Sequence, residues 1–267
     1  QAKEDARSNG DRALSAQAYF ARLTQTFVNW LSRPTGEGSL YEVDMRLRPD
    51  GEKGAVAVGV DRFTEYYKKD AWVWEKLALA KARIITDPAQ ARPIVTTVTK
   101  AIYQITQQPI GMPIVGKAVF DMWQRLRATY ESAPALKLRK LPGGTTELDL
   151  LIQGLRLAHT DLFNGTGQGQ IEIISALATH GRISQSCAAD LESASKLFSN
   201  VYASMRLCIG EVGQNAGDFS DAIIRFIVES NDAADEQQLV SMLAGEREKV
   251  VAAFDTVFPS KHAINGS

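Results

Sequence analysis

The sequence predicts a mainly α-helical fold in two parts. A small α/β piece, a short β-sheet with flanking helices, occupies residues 1–86, and an all-helical bundle occupies residues 87–267. Three observations predict this. Residues 40–48 alternate apolar and polar side chains with period two, the mark of a half-buried strand. From Val60 onward apolar residues recur every three or four positions, the helical spacing. The composition shifts at residues 85–88, where Asp87-Pro88 offers an N-cap followed by proline at the first helical position.

The elements follow in order. Ala13, Ala16, Phe20, Leu23, Phe27 and Trp30 predict a first helix over 13–31, ended by Ser32, Pro34 and Gly36. In the strand, Tyr41, Val43, Met45 and Leu47 face a core while Glu42, Asp44, Arg46 and Arg48 face outward. Pro49-Asp50-Gly51 is a turn by its residue chemistry, and Ala55 to Val60 reads as a second short strand. Helices are predicted over 62–69, capped by Asp61, and over 71–85. A long one runs from Pro88 to about Gln107, with Pro93 marking a kink or a restart. Beyond the Pro109–Pro113 break, helices are expected at 114–131, 145–161, 170–180, 184–209, 219–230 and 235–258.

Composition bounds the function. A chain of 267 residues with 45% hydrophobic and 23% charged content is an ordinary globular protein of one or two domains. A net charge of −1 argues against a polyanion-binding surface, so no nucleic-acid partner is expected. No apolar run approaches the roughly 20 residues of a membrane helix, and the polar start Gln1-Ala2-Lys3-Glu4 is no signal peptide. Cys187 and Cys208 are too few for a disulfide scaffold, so a cytoplasmic setting with both as small core residues is the expectation. Without an initiator methionine the chain reads as a fragment.

An aspartate in mid-strand is costly unless paired, solvated or metal-bound. Asp44 has two readings: a surface ion pair with Arg46 or a neighbouring base, or a divalent-metal ligand on an open sheet face. Hard carboxylate oxygens suit Mg²⁺. Arg46 and Arg48 on the same face suit phosphate oxygens.

The stretch Leu40-Tyr41-Glu42-Val43-Asp44-Met45-Arg46-Leu47-Arg48-Pro49, with Gly51 and Gly54 after it, resembles a signature of bacterial glutamine synthetase adenylyltransferases. Ala71-Trp72-Val73-Trp74-Glu75 through Lys81-Ala82-Arg83 resembles a second, and the likeness extends from about residue 18 to about residue 157. It is closer to the family's adenylylating half than to its adenylyl-removing half. The resemblance implies a nucleotidyltransferase palm, here a remnant of one, in which three carboxylates hold two Mg²⁺ ions. It implies transfer of AMP from ATP to a tyrosine of glutamine synthetase, with Asp44 as the third carboxylate, catalytic and metal-binding. It also implies a nucleotide-binding role for Arg46, Arg48, Lys81 and Arg83, and glutamine synthetase and the PII signal protein as partners.

The sequence departs from that pattern in one respect. The Gly-Ser-Asp-x-Asp motif that carries the other two carboxylates is absent from residues 1–267. The chain alone is therefore expected to be inactive, and a non-catalytic docking or regulatory module is the alternative. Gly143-Gly144-Thr145-Thr146-Glu147-Leu148-Asp149 places two acids near a glycine pair, but on a helix they sit roughly 200° apart. They read as first-turn acids behind a Thr145 or Thr146 cap.

Trp72 and Trp74 read as packing residues, and Glu75 as a local partner of Lys76 or Arg83 or a support for the active face. Lys81 and Arg83 equally suit a helix C-terminus. Gly165-Thr166-Gly167-Gln168-Gly169 looks like a phosphate loop but lacks the preceding strand and the Lys-Ser/Thr of a P-loop, so it reads as a helix–helix connection. His159, His180 and His262 have no metal-ligand spacing.

Overall fold

The computed structural model describes residues 6–36, 38, 43–85, 88–130, 133–208 and 219–259. Among these there are ten α-helices and three 3-10 turns. Pairing across strands is limited to two isolated bridges, Arg7 with Ser15 and Thr35 with Gly38. Two compact units divide the chain, Gln1–Gln108 and Pro109–Ser267.

The mainly helical expectation holds, and the short sheet does not appear among the described residues. Leu40, Tyr41 and Glu42 lie outside them. From Val43 to Leu47 the backbone forms no strand, because its polar groups are satisfied locally. Arg46 N–H donates to Asp44 Oδ1 at 2.9 Å, and Arg48 N–H donates to Arg46 O at 3.0 Å. A lone strand with no ladder beside it has little to stabilise it. Ala55 to Gly59 forms no strand either, and Val60 already begins a helix.

In the first unit, α1 (Ala16–Ser32) starts at Ser15, whose Oγ accepts from Ala18 N–H at 3.3 Å. It buries none of its side chains: Phe20, Leu23, Phe27 and Trp30 all stand in solvent. The core lies instead among α2 (Val60–Lys69), α3 (Val73–Ala80) and α4 (Pro88–Thr106). Tyr66, Tyr67, Leu79, Ile102 and Ile105 form its centre, with Phe63, Ala71, Ala82 and Val98 packed around them. The start of α2 is set two residues before the expected cap: it begins after Gly59 rather than Asp61. α4 passes through Pro93 as one element.

In the second unit, α6 (Thr145–Ala158) is the central helix. It is buried on nearly every side from Glu147 to Leu157, because α5 (Met112–Ala128), α7 (Gln170–Thr179), α8 (Gln185–Cys208) and α10 (Glu236–Val257) all pack on it. α9 (Asp221–Glu229) rests on α8 and α10. A helix buried on so many sides needs partners for its polar side chains, and Glu147, Gln153 and Arg156 are among those α6 buries. Gly154 allows the close approach of α5: a Cβ there would stand 2.8 Å from Val119 Cγ2 and 3.1 Å from Phe258 Cζ. Trp123 stacks on Phe254 at 4.9 Å between ring centres.

One carboxylate ties these parts together. Glu147, fully buried, accepts from Trp123 Nε1 at 3.0 Å, Arg127 Nε at 3.1 Å and Nη2 at 3.2 Å, and Gly143 N–H at 2.9 Å. It is neither an exposed first-turn acid nor a helper to a threonine cap. The cap position is Gly144, and Thr146 Oγ1 donates to Arg139 O at 3.0 Å. Gly143 takes φ +70° and has no room for a side chain, since a Cβ would lie 2.1 Å from Arg247 O. Arg247 Nε in turn donates to Pro142 O at 2.8 Å.

Replacing Glu147 with alanine removes the acceptor for four donors and leaves Arg127 and the Gly143 N–H without it. Breaking a buried ion pair from one side costs about 3–5 kcal/mol, less where the cation reaches water. Arg127 keeps 31% of its side chain exposed, against 0% for Glu147. Urea unfolding of Glu147→Ala is therefore expected to show a loss of about 2–3 kcal/mol. A loss under about 0.5 kcal/mol, the scale of a surface pair, would contradict the central role given to this group.

Candidate functional site

Asp44 and Arg46 sit together on the exposed segment before the turn at Gly51–Lys53. The guanidinium grips the carboxylate from two sides. Arg46 Nε lies 3.0 Å from both carboxylate oxygens and Nη2 lies 2.7 Å from Oδ2. Both side chains are more than half exposed, so this pair adds little stability. Its effect is on ionisation: the Arg46 side-chain and backbone donors pull the Asp44 pKa down to about 2.

Arg48 faces elsewhere. Its guanidinium ties the 45–54 loop to itself, donating to the carbonyls of Met45, Glu52 (3.2 Å) and Gly54 (3.3 Å). Asp50 takes φ +63° and accepts from Arg62 Nη2 at 3.1 Å, which anchors the loop to α2. A Cβ at Gly54 would lie 1.9 Å from Pro49 O, so only glycine fits where the loop closes. The loop that presents Asp44 is thus a built structure, held by Arg48 and Arg62.

Lys81 is the C-cap of α3 and Arg83 follows it; both are exposed. The hydrogen bonds that organise Asp44, Arg46 and Arg48 run within the 43–54 loop, whereas Lys81 and Arg83 stand at the end of a different helix.

The second candidate stretch holds a surprise. Trp72 and Trp74 are not packing residues: they are 71% and 47% exposed, because α3 turns Glu75, Leu77, Leu79 and Ala80 inward. Glu75 is buried and pairs with neither Lys76 nor Arg83. It accepts from Tyr66 Oη at 2.9 Å and Trp72 N–H at 2.8 Å, so it caps α3 and docks it on α2. Burial pushes the neighbouring Tyr67 hydroxyl up to about 12, with the Glu75 charge adding to it. Sequence reasoning missed Tyr66 and Arg62. The clue for Tyr66 was an aromatic on the inner face of an amphipathic helix, nine residues before an acid.

Two clefts among the described residues are lined without Asp44. One of about 500 Å³ runs between α2 and α4, lined by Asp61, Glu65, Lys68, Lys69 and Lys100 among others. One of about 390 Å³ lies among α6, α7 and α8, with Arg139, Asp149, Gln170 and Tyr202 in its wall. Glu147 and Asp149 face different partners, as their helical offset requires; Asp149 accepts from Gln170 Nε2 at 3.5 Å.

The implied pair of Mg²⁺ ions was tested against these donors. Among the described residues no three His, Cys, Asp or Glu side chains come together as a metal-binding group. Asp44 is one carboxylate and is already engaged by a guanidinium. The described residues do not fit a two-metal site.

Comparison with known proteins places these residues in context. Residues 1–96 match the family described as glutamate-ammonia ligase adenylyltransferase. A bifunctional glutamine synthetase adenylyltransferase/adenylyl-removing enzyme of Rhodopseudomonas palustris (strain TIE-1) is 32% identical over 263 residues, covering 96% of this chain and 26% of the relative. Its counterpart in Bartonella henselae is 34% identical over 209 residues, 78% of this chain and 21% of the relative. That of Caulobacter vibrioides is 30% identical over 243 residues, 91% and 24% respectively. The chain spans about a quarter of the length of these curated relatives.

The Asp44–Arg46 geometry has a measurable consequence. A depressed carboxylate pKa means the ion pair is intact above the unfolded value and is lost as pH falls through about 2. NMR titration of the Asp44 carboxyl carbon is expected to show a midpoint near 2, returning to the ordinary range of about 3.9 in Arg46→Gln. A midpoint near 3.9 in the unaltered chain would show that the pair does not form in solution.

Proposed function

The chain belongs to the glutamate-ammonia ligase adenylyltransferase family, and from that premise we propose that it is part of an enzyme that moves AMP from ATP to a tyrosine of glutamine synthetase. In that reaction the tyrosine oxygen attacks the α-phosphorus, pyrophosphate leaves, and the hydroxyl proton passes to a base. Residues 1–86 contribute part of the nucleotidyltransferase palm and residues 87–267 the helical bundle, in a cytoplasmic protein. One observation carries the reading: Asp44, Arg46, Arg48, Lys81 and Arg83 all lie within the stretch 1–96 that matches the family.

Each residue has a role in this proposal. Asp44 supplies one carboxylate of the nucleotide site. Arg46 keeps it ionised and is the nearest donor to a phosphate placed beside it. Arg48 holds the presenting loop in shape. Lys81 and Arg83 add positive charge at an exposed helix end for the polyphosphate. The Gly-Ser-Asp-x-Asp carboxylates are absent from residues 1–267, and on that ground the proposal includes that the chain by itself does not transfer AMP.

A second reading, a docking module for glutamine synthetase or the PII protein, is favoured by the bare apolar face of α1. Tyr19, Phe20, Leu23, Phe27 and Trp30 are between 44% and 74% exposed there, a patch of the kind that marks an interaction surface.

The two readings meet in one experiment. The chain is mixed with glutamine synthetase and ATP labelled at the α-phosphate, and both co-sedimentation and label transfer are read. Co-sedimentation without transfer is expected. Clear turnover would overturn the claim that the site is incomplete, and no association would count against glutamine synthetase docking.

A further inference from the structure

The second unit holds a cation that the AMP-transfer reading does not use. Arg156 projects from α6 and is 0% exposed. A guanidinium carries five N–H donors and stays charged in folded proteins. Its Nε donates to Gln168 Oε1 at 3.1 Å and its Nη2 to the carbonyl of Gly165. Its Nη1, also buried, meets no acceptor among the described residues. The Phe163 ring lies 5.4 Å from the guanidinium carbon. Burial lowers the Arg156 pKa. A buried charge with two amide-type acceptors and an idle donor is costly unless an anion completes it.

The guanidinium points into the segment Gly165-Thr166-Gly167-Gln168-Gly169, which the sequence marks as resembling a phosphate loop. Gly165 and Gly167 take φ +100° and +79°, left-handed conformations that favour glycine. A Cβ at Gly165 or Gly169 would meet nothing within 4 Å, so space is open beside the loop at both ends. The loop leads directly into α7, whose N-cap is Gly169 with no side-chain cap. The N-terminal N–H groups of that helix have no N-cap side chain, and the helix dipole favours an anion there, opposed by the one first-turn acid, Glu172.

We propose that Arg156, the 165–169 loop and the α7 N-terminus form a binding site for a phosphate group, free or esterified. Donors arrive from a side-chain fork and from a helix end, which suits a tetrahedral oxyanion better than a flat carboxylate. The Gln168 side-chain oxygen occupies an acceptor position on the fork, and an entering phosphate oxygen replaces it. The site is independent of the AMP-transfer reading, since none of its residues lies within the matched stretch 1–96.

The test is amide NMR of the full chain, titrated with inorganic phosphate at constant ionic strength. Saturable shifts confined to residues 165–172 are expected. Gln168→Ala removes the competing acceptor, worth about 1 kcal/mol for an ordinary hydrogen bond, and is expected to tighten phosphate about fivefold. Arg156→Gln is expected to abolish the shifts. Should that variant fail to fold, the direction of the Gln168→Ala change decides alone. No saturable shift, shifts scattered over surface lysines, or binding unchanged in Gln168→Ala would overturn the proposal. Glycerol phosphate ranks esterified against free phosphate, and equal binding of acetate would overturn the tetrahedral assignment.

Discussion

A carboxylate taken out of water must be surrounded by donors, and each compact unit is arranged around one that is. In the second unit Glu147 gathers an indole, a guanidinium and a backbone N–H, and so fixes α5, the Pro142-Gly143-Gly144 corner and the start of α6 at once. In the first unit Glu75 does the same on a smaller scale, joining α2 to α3 through Tyr66 and closing the first turn of α3. Removing either partner set would strand a charge in a low-dielectric interior, which is why these contacts constrain so much of the packing around them. Asp44 is the opposite case. It is exposed, held by one guanidinium, and presented on a loop that other arginines build.

That contrast sorts the acids by role. Glu75 and Glu147 are buried, and their donors all come from within their own unit, so both belong to the architecture. Asp44 remains more than half exposed beside Arg46. A divalent ion competes for such a carboxylate only when further oxygen ligands join it, and no such group forms among the described residues. The chain spans about a quarter of the length of its relatives.

Much of the helical architecture was legible in the sequence. The expected spans 170–180 and 235–258 differ from α7 (Gln170–Thr179) and α10 (Glu236–Val257) by a residue at an end. Leu191, Ala194, Phe198, Val201 and Met205, which step by three or four along α8, are all buried, whereas Cys208, the next in that series and expected in the core, is only partly so. The alternation around Asp44 misled because period two reports which faces differ, not whether a neighbouring strand exists to bond with; here the polar backbone groups turn inward on local partners instead. Trp72 and Trp74 misled because an aromatic residue is assumed to seek a core, whereas the short α3 spends its inner face on Glu75, Leu77, Leu79 and Ala80. Glu147 was invisible for a different reason. Its donors, Trp123 and Arg127, are 24 and 20 residues away, and no local pattern announces a long-range hydrogen bond.

In the proposed function Asp44 supplies one exposed carboxylate and the described residues add no further metal ligands beside it. Titration of the chain with Mn²⁺, read by paramagnetic broadening of amide signals, tests it most directly. The account predicts only weak broadening near residues 43–48, with affinity no better than about 1 mM, as expected for a single carboxylate in water. Saturable micromolar binding at that loop, lost in Asp44→Asn, would contradict it and show that the chain assembles a metal site by itself.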